Sequence, residues 1–564
     1  MTRGSLTALA GTVAICGACV SSGGRVGSGP TPHGSRPLTQ TERAGQTLSR
    51  LSFGARPGEV ARVESMGVDR WIAWQLYPDS IPDSVGARLR TMETQRKSAA
   101  ELIADHPTPQ EIMGLMTRNA LDSGMHSSAA PDSAALRRAQ QTTGALTGEL
   151  MAAKTLRAIA SERQLLEVMT DFWENHFSVF AGKMPTPYTL VEYDRDVIRP
   201  RALGTFKDLL TAVAKSPAML YYLDNWQSAV DSMHANVPEG PVALRRSASS
   251  DPMLRALGAL PHRRPRGLNE NYARELLELH TLGVDGGYTQ QDVINVARAF
   301  TGWTIDAPQL GGGFIFHPEL HDAETKVVLG HTLAAGRGIE DGEEVLSILA
   351  ASPATARFIT TKLARRFVAD DPPPPLVARC ASVFQQTGGD IRETMRCVVT
   401  SPEFFSRAAF RAKVKTPFEF VVSAYRALGA EGDTTPRVGQ LVARLGQPIF
   451  GKLTPDGWPD RAAAWLNSGA MLGRINSGFA LAAGQVPGVQ LARWPPAARL
   501  RGAPNEEQVR VVVDELLGGT ASPETMAVLL NKSNQGASAR TDPKLVGLAN
   551  LVGLTLGSPE FQRR

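Results

Sequence analysis

Five Ser-Pro pairs constrain the fold of this chain more than any other feature. They occur in SPAM at 216, SPAT at 352, SPEFF at 401, SPET at 522 and SPEF at 558. Serine is a favoured helix N-cap, proline fits the first helical position, and a nearby glutamate suits the helix dipole. The pairs predict repeated helix starts and a mainly α fold, a multi-helix array. None has the strand–GxSxG–helix context of a hydrolase nucleophile, so we do not expect these serines to be catalytic.

One region departs from the helical pattern. Between residues 311 and 330 the short runs FIF and KVVL stand on either side of a polar turn. Such runs predict strands, and two of them joined by a turn predict a hairpin. We therefore expect one small β-hairpin near residues 311–330.

Length and changes in composition predict several regions. A chain of 564 residues exceeds one typical core. The predicted regions are a signal peptide at 1–19, a flexible Gly/Ser/Pro-rich tether at 20–44, a main helical domain at 45–410, and a C-terminal helical region at 411–564 packed on that domain. Within the main domain we expect a low-complexity insertion at about 90–150 and a surface loop at about 236–266.

The N-terminus predicts export. A cationic start, MTRG, precedes the apolar run LTALAGTVAICGACV and then small residues, which is the pattern of a signal peptide. Gly17 and Ala18 before Cys19 also fit a lipoprotein signal, in which Cys19 is acylated, although Cys16 stands where that signal favours an aliphatic side chain. We expect the periplasm or cell envelope, with a lipid anchor at Cys19 as the only membrane attachment.

Two cysteines remain beyond this leader, Cys380 and Cys397. They lie in two predicted helices on either side of the turn TGGD. Two antiparallel helices could bring them together, and an oxidising compartment would allow a disulfide. Two small buried apolar side chains are the alternative. Because the chain has no CxxC pair, we do not expect a zinc site of the finger type.

The charge of the chain is small for its length. The net charge is +5 and the isoelectric point is about 9.0. The densest basic cluster, RRPR at 263–266, stands in a proline-bearing loop, and no Lys/Arg stripe alternates with aromatic residues. We therefore expect no nucleic-acid binding.

The densest polar run, NENYARELLELHTLGVDGGYTQQDV, begins at Asn269. On a helix with about 100° per residue, His280 lies on the apolar face, whereas Glu275 and Glu278 lie on the opposite side. A metal site on this one helix is therefore excluded, and Arg274 is placed to pair with Glu278. The second half of the run has the glycines of a tight turn and the T-x-x-D pattern of a capping box, so it is architectural.

A second histidine, His176, shares an apolar helix face with Leu165, Met169 and Phe172. His176 and His280 could converge, and buried imidazoles that meet are either mutually hydrogen-bonded or bound to something else. A hydrogen-bonded core histidine is the alternative for each.

A third polar cluster lies in the predicted hairpin: His317, Glu319, His321, Asp322, Glu324 and Lys326. Histidine and carboxylate side chains this close on a turn can bind a divalent metal or transfer protons. A solvated turn with balanced charges is the alternative.

Several longer segments resemble a bacterial family called domain of unknown function 1800. They are LSFGARPGEV, DFWENHF, SPAMLYYLDN, NENYARELLELHTLGVDGGYTQQDV, HDAETKVVLG, SPATARFITTKLARRFVADDPP, KVKTPFEFVVSAYRALGA, LGQPIFGKLTPDGWPD and GSPEFQRR. The resemblance covers about residues 45–564 in order.

This resemblance implies a large, mostly helical, exported bacterial protein, and it supplies no reaction. It also implies a partner, because similar family members are often encoded beside a second exported family with a sulfatase-like or phosphatase-like look. The segments that resemble the family include the residues Trp173, His176, Asn269, Glu270, Arg274, Glu275, Glu278, His280, His321, Asp322 and Lys326.

Two functions fit the sequence. The first is a scaffold or binding partner of another exported protein, since capped helices account for most of the polar residues. The second is a metal-assisted or acid–base hydrolase that acts on an extracytoplasmic polymer. Its candidate catalytic residues are His176, Glu275, Glu278, His280, His321, Asp322 and Lys326, and its candidate ligands for a divalent metal are His176, His280, His321 and Asp322.

Overall fold

Each of the five Ser-Pro pairs caps a turn of the backbone. The structure is a computed structural model that describes residues 36–107, 111, 112, 114, 133–230, 267–532 and 546–564. Ser216, Ser352 and Ser522 precede α-helices and accept a hydrogen bond from a backbone N–H in the first helical turn. Ser401 and Ser558 accept the same kind of bond, but each begins a short turn and not a helix.

The mainly α fold is confirmed. The helices are α1 (Gln40–Leu51), α2 (Glu59–Met66), α3 (Val68–Gln75), α4 (Val85–Leu89), α5 (Ala99–Asp105), α6 (Ser133–Ala160), α7 (Gln164–His176), α8 (Thr186–Glu192), α9 (Phe206–Ala214), α10 (Pro217–Tyr222), α11 (Glu270–Glu275), α12 (Gln290–Ala299), α13 (Glu340–Ala351), α14 (Pro353–Phe367), α15 (Pro374–Gln386), α16 (Ile391–Val399), α17 (Pro417–Ala427), α18 (Arg437–Arg444), α19 (Ser468–Ala482), α20 (Ala497–Leu500), α21 (Asn505–Leu517), α22 (Pro523–Lys532) and α23 (Val546–Gly557). Two π-helical segments, Tyr193–Ile198 and Leu276–Thr281, continue α8 and α11.

The small β structure is confirmed in place, but its pairing differs from the prediction. Strand β1 (Trp303–Ile305) pairs with β2 (Phe314–Phe316), and β3 (Lys326–Val328) pairs with β4 (His331–Leu333), both antiparallel. The runs FIF and KVV therefore belong to separate two-stranded sheets. Leu329 and Gly330 both have positive φ, which is the geometry of a two-residue hairpin turn and which closes β3 directly onto β4.

One hydrophobic core joins the two helical regions that the sequence separates at residue 410. Its buried side chains come from α1 through α23, and residues 38–564 form one unit. Arg426 on α17 is fully buried and donates to the carbonyl oxygens of Gly54 (2.6 Å) and Ile159 (3.0 Å), while its Nη2 lies 3.0 Å from a carboxylate oxygen of Glu59.

Several predicted segments lie partly or wholly outside the described residues. The signal peptide, Cys19, the loop at 236–266 and part of the insertion at 90–150 are among them. At the end of that insertion, Leu146 and Leu150 on α6 are buried in the core. Helix α1 begins inside the predicted tether, because Thr39 and Glu42 form a capping box. No helix of the described residues is long and apolar enough to cross a membrane.

A disulfide joins α15 to α16. Cys380 and Cys397 are bonded, with their Cα atoms 5.7 Å apart. Cys380 is fully buried, so the bond lies against the core. Of the two alternatives that the sequence leaves open, the structure contains the disulfide.

Candidate functional site

A cavity of about 310 Å³ lies among α6, α7, α14 and the segment of residues 447–461. Its volume is within the range of small-molecule sites, roughly 300–1,000 Å³. Charged groups from three helices line it, namely Lys154, Asp171, Glu174, Lys362, Arg365 and Arg366, together with His176. Aromatic side chains also line it: Phe172, Phe418, Phe450 and Trp458.

A hydrogen bond between α7 and α14 stands in the cavity wall. Lys362 Nζ lies 2.8 Å from His176 Nδ1, and His176 Nε2 lies 3.1 Å from the backbone oxygen of His280. Because a carbonyl oxygen only accepts, the proton of neutral His176 is assigned to Nε2, and Nδ1 accepts from the Lys362 amine. Burial and the charge of Lys362 hold the pKa of His176 well below its usual range. Burial and the charge of Arg365 lower the pKa of Lys362 to about 8.

The two predicted histidines, His176 and His280, do meet. Their ring centroids are 6.3 Å apart, but the hydrogen bond between them runs through the His280 carbonyl and not through its side chain. His280 lies in the last turn of its π segment, where backbone carbonyls lack helical partners. Its ring packs edge-on against Phe177, and burial lowers its pKa to about 3. His280 Nε2 has no hydrogen-bond partner among the described residues.

An ammonium group bridges two carboxyl groups in the cavity wall. Lys154 Nζ lies 2.9 Å from Asp171 Oδ1 and 2.5 Å from Glu174 Oε2, and 5.3 Å from the ring centroids of Phe418 and Phe450. Burial raises the pKa of Glu174 despite the opposing charge of Lys154. Glu174 therefore keeps its proton to a higher pH than an ordinary glutamate.

A second carboxylate also contributes to the raised pKa of Glu174. Asp194, in the first π segment, lies beside Glu174 and raises the pKa of Glu174 further. Asp194 is itself held by Arg157 Nη1 (2.8 Å) and Arg199 Nη2 (3.1 Å). Both π segments thus place a partner next to α7, Asp194 for Glu174 and His280 for His176.

The fourth wall of the cavity, residues 447–461, is fixed to α7 through Asn175. The Asn175 side chain donates to the Trp458 carbonyl oxygen (2.9 Å) and accepts from the Trp458 amide (2.6 Å). The backbone approaches closely here: a Cβ at Gly457 would lie 2.1 Å from the Asn175 carbonyl oxygen, and φ of Gly457 is +71°. Asp460, at the end of the wall, lies 2.9 Å from Lys413 Nζ and 3.9 Å from Arg564 Nη2.

Three other predicted site residues, His321, Asp322 and Lys326, form a separate buried cluster outside the cavity lining. Both oxygens of Asp322 accept from Arg298 (2.7 and 3.0 Å). Lys326 Nζ lies 2.7 Å from Asp341 Oδ2, and His321 Nδ1 lies 2.9 Å from the Thr301 carbonyl oxygen. These contacts tie the β region to α12 and α13.

The metal centre predicted from His176, His280, His321 and Asp322 is therefore not assembled. His321 and Asp322 make their contacts in the separate cluster, where Arg298 occupies the carboxylate. Within the described ranges, no group of three or more His, Cys, Asp or Glu side chains is placed to hold a metal ion.

The remaining candidates, Glu275 and Glu278, are half-buried on the face opposite His280, as the helical projection predicts. Burial and the charge of Glu278 raise the pKa of Glu275. Glu278 lies 3.4 Å from the Tyr288 hydroxyl. The predicted pairing of Arg274 with Glu278 is wrong, because Arg274 lies 2.9 Å from Gln290 Oε1 and 4.0 Å from Glu270.

The comparison with known protein families agrees with the helical architecture and with the sequence motifs. The model of the family described as "Protein of unknown function (DUF1800)" matches residues 46–563. The chain belongs to the DUF1800 family. Neither the curated proteins nor the solved structures gave a match.

Sequence reasoning missed most of the cavity of this DUF1800 protein. Lys154, Asp171, Glu174 and Lys362 were not predicted as site residues, although three of them stand in the segments that carry the resemblance. One local signal was available. Phe358, Lys362 and Arg366 recur at a spacing of four on α14, which places an aromatic ring and two cations in a row on one helix face.

Proposed function

We propose that this DUF1800 protein is an acid–base hydrolase that acts on a polar extracytoplasmic molecule bound in the cavity. The observation that carries the proposal is the hydrogen bond from Lys362 to neutral His176 in the wall of a ligand-sized cavity. Glu174 and Asp171 line the same cavity. Clefts that combine such groups with displaced pKa values are typical of catalytic sites.

Each group has a chemical task in this proposal. Glu174, whose raised pKa keeps it protonated, donates a proton to the leaving group. Asp171, held in place by Lys154, accepts a proton from the attacking water. The Lys362 cation stabilises negative charge that develops on the substrate, and His176 orients the amine. No step requires a metal ion.

Export remains part of the proposal. The Cys380–Cys397 disulfide supports it, because disulfides persist mainly in oxidising compartments. The signal peptide, the lipid anchor at Cys19 and another exported protein as partner are proposals of the same kind, which rest on the N-terminal sequence and the family resemblance.

The proposal is tested by measuring the turnover of chromogenic esters, phosphate esters, sulfate esters and glycosides by the purified mature protein. Glu174→Gln should abolish turnover, because glutamine has no proton to donate. Glu278→Gln, outside the cavity lining, is the matched control and should retain it. Turnover that survives in Glu174→Gln, or the absence of turnover with every class, would contradict the hydrolase and favour the scaffold that the sequence also allows. Co-purification of an exported partner with wild type and with Glu174→Gln alike would then support that scaffold.

A further inference from the structure

Lys362 brings a positive charge to the cavity wall, and no carboxylate of the described residues forms an ion pair with it. Its Nζ contacts His176 Nδ1 and lies 5.4 Å from the centroid of the Phe358 ring. Among the described residues, Asp456 and Asp460 act on Lys362 only through longer-range attraction. A charge taken out of water without an opposite charge is costly, so this amine is a favourable place for an anion.

The two acids that attract Lys362 are already engaged by other partners. Asp460 lies 2.9 Å from Lys413 Nζ, and Asp456 lies 3.5 Å from Lys452 Nζ and accepts from the Thr454 hydroxyl. Neither carboxylate forms an ion pair with Lys362 within the described part of the chain.

A second cation, Arg365, is the third residue after Lys362 on α14, so the two side chains are neighbours on one face of the helix. Arg365 also lines the cavity. Its Nε donates to the Asp370 carbonyl oxygen at 3.0 Å. The charge of Arg461 adds to the burial that lowers the pKa of Arg365. Arg365 disfavours the charge of Lys362, whereas Arg461 is paired with Asp371 at 2.9 Å. An anion placed between Lys362 and Arg365 would relieve the repulsion between these two cations.

We propose that Lys362 and Arg365 form an anion subsite that binds a carboxylate, phosphate or sulfate group of the molecule occupying the cavity. The inference rests on the proposed function, because it assigns the chemical class of the ligand in the same cavity. An ammonium and a guanidinium both donate charge-assisted hydrogen bonds to such oxygens. An oligosaccharide or peptide with acidic substituents has this chemistry, whereas a neutral chain lacks it.

The affinity of this subsite depends on pH. The groups that face Lys362 are His176 on α7, Arg365 on its own helix, and Asp456 and Asp460 in the 447–461 segment. His176 is neutral and His280 behind it titrates only in acid. Because the pKa of Lys362 is about 8, the affinity for an anion should be constant near pH 7 and fall as the pH rises above 8.

Titration of the purified protein with sodium phosphate, sodium sulfate and sodium acetate tests the subsite. Each titration runs at constant ionic strength in chloride, at pH 7.0 and 9.5, and is followed by the ¹³Cε resonances of labelled lysines. We expect one saturable site for at least one anion, weakened at least tenfold at pH 9.5 and in Lys362→Gln. The anion that binds most tightly identifies the charged group of the substrate. Lys362→Arg should retain anion binding at both pH values.

Controls keep the test independent of folding and of turnover. Lys183→Gln, at a lysine outside the cavity lining that pairs with Asp224, should bind like the wild type. Arg365→Gln should weaken binding and provides a second variant if Lys362→Gln is not folded by circular dichroism. No saturable binding of any anion, or equal binding in Lys362→Gln and wild type, overturns the subsite. Anion binding without turnover would retain the subsite and overturn the hydrolase, and turnover without anion binding would do the reverse.

Discussion

Asn175 and Trp458 exchange two hydrogen bonds across 283 residues of sequence, side-chain amide to backbone carbonyl and backbone amide to side-chain oxygen. This pair holds the 447–461 segment against α7. Asn175→Ala removes both bonds and leaves the Trp458 backbone groups unpaired, so we expect a loss of about 1–3 kcal/mol in unfolding free energy. Denaturant unfolding measures the loss, and hydrogen exchange should rise selectively in 447–461. Unchanged exchange there would show that other contacts hold the wall.

Removal of Lys154 should destabilise the protein more than removal of an exposed lysine. Lys154→Met leaves Asp171 and Glu174 without the shared cation, and breaking a buried charge group in this way costs about 3–5 kcal/mol. Urea unfolding of this variant is compared with Lys207→Met, where the lysine is exposed and the loss should be within about 0.5 kcal/mol. Adding Asp171→Asn to Lys154→Met should recover part of the stability, because it removes the carboxylate charge that has lost its lysine. Without recovery, the loss would come from the alkyl chain and not from the charge.

Stability should decline in acid because of the buried histidines. The folded-state pKa of His280 is about 3, below its unfolded value, so the unfolded chain binds a proton first. Its contribution is fully present above about pH 6.5 and is lost as the pH falls toward 3, with a slope of up to about 1.4 kcal/mol per pH unit. Urea unfolding between pH 7 and 4 should show a smaller slope in His280→Leu than in wild type. The exposed His331→Gln should keep the wild-type slope, and an equal slope in His280→Leu would contradict the prediction.

The proposed turnover should fall as the pH rises through about 8. Lys362 then loses the charge that stabilises the substrate anion, and Glu174 approaches the loss of its proton. Because the pKa of Glu174 is also raised to about 8, two groups ionise together in the wild type. Lys362→Arg keeps its charge to higher pH, so the fall of its rate with pH should be less steep, with only Glu174 ionising. Initial rates between pH 6 and 10 measure both profiles. Identical profiles would assign the alkaline limb to Glu174 alone.

Loss of the disulfide should destabilise the α15–α16 pair. Cys380→Ala with Cys397→Ala opens a loop with a sequence separation of 17, which corresponds to about 2–4 kcal/mol. Thermal unfolding of the double variant and of reduced wild type should agree. Peptide mass spectrometry without reductant should recover the linked pair from wild type, and free thiols at both positions would contradict the bond.

Features set by neighbouring residues could be predicted from the sequence, and features set by distant ones could not. The Thr289–Asp292 capping box and the separation of His280 from Glu275 follow from spacing along one helix, and both are present. The contact of Lys362 with His176 joins helices that lie 186 residues apart, and no pattern within either helix announces it.

The π segments illustrate the same limit. A projection at 100° per residue assumes a regular α-helix. Residues 276–281 instead form a π-helix, whose i→i+5 hydrogen bonds give a wider turn. On such a projection Leu279 lies nearer than Leu277 to the apolar face that carries His280. In the structure, however, Leu277 is fully buried and Leu279 is only half-buried. The position of the small β structure was predicted correctly, but its pairing was not, because the partner strands β1 and β4 have only three residues each.

Arg426 imposes an order of events on the folding of this chain. The carbonyl oxygens of Gly54 and Ile159 receive its hydrogen bonds across 372 and 267 residues, so the N-terminal helices cannot reach their final packing until α17 is present. Contacts with such long sequence separation form late, because the intervening chain must first be brought together. A fragment that ends before α17 would leave Glu59 with the Arg62 guanidinium at 3.4 Å but without the closer one of Arg426 at 3.0 Å. The first helices of the protein are therefore completed by a residue that lies 372 positions after Gly54 in the chain.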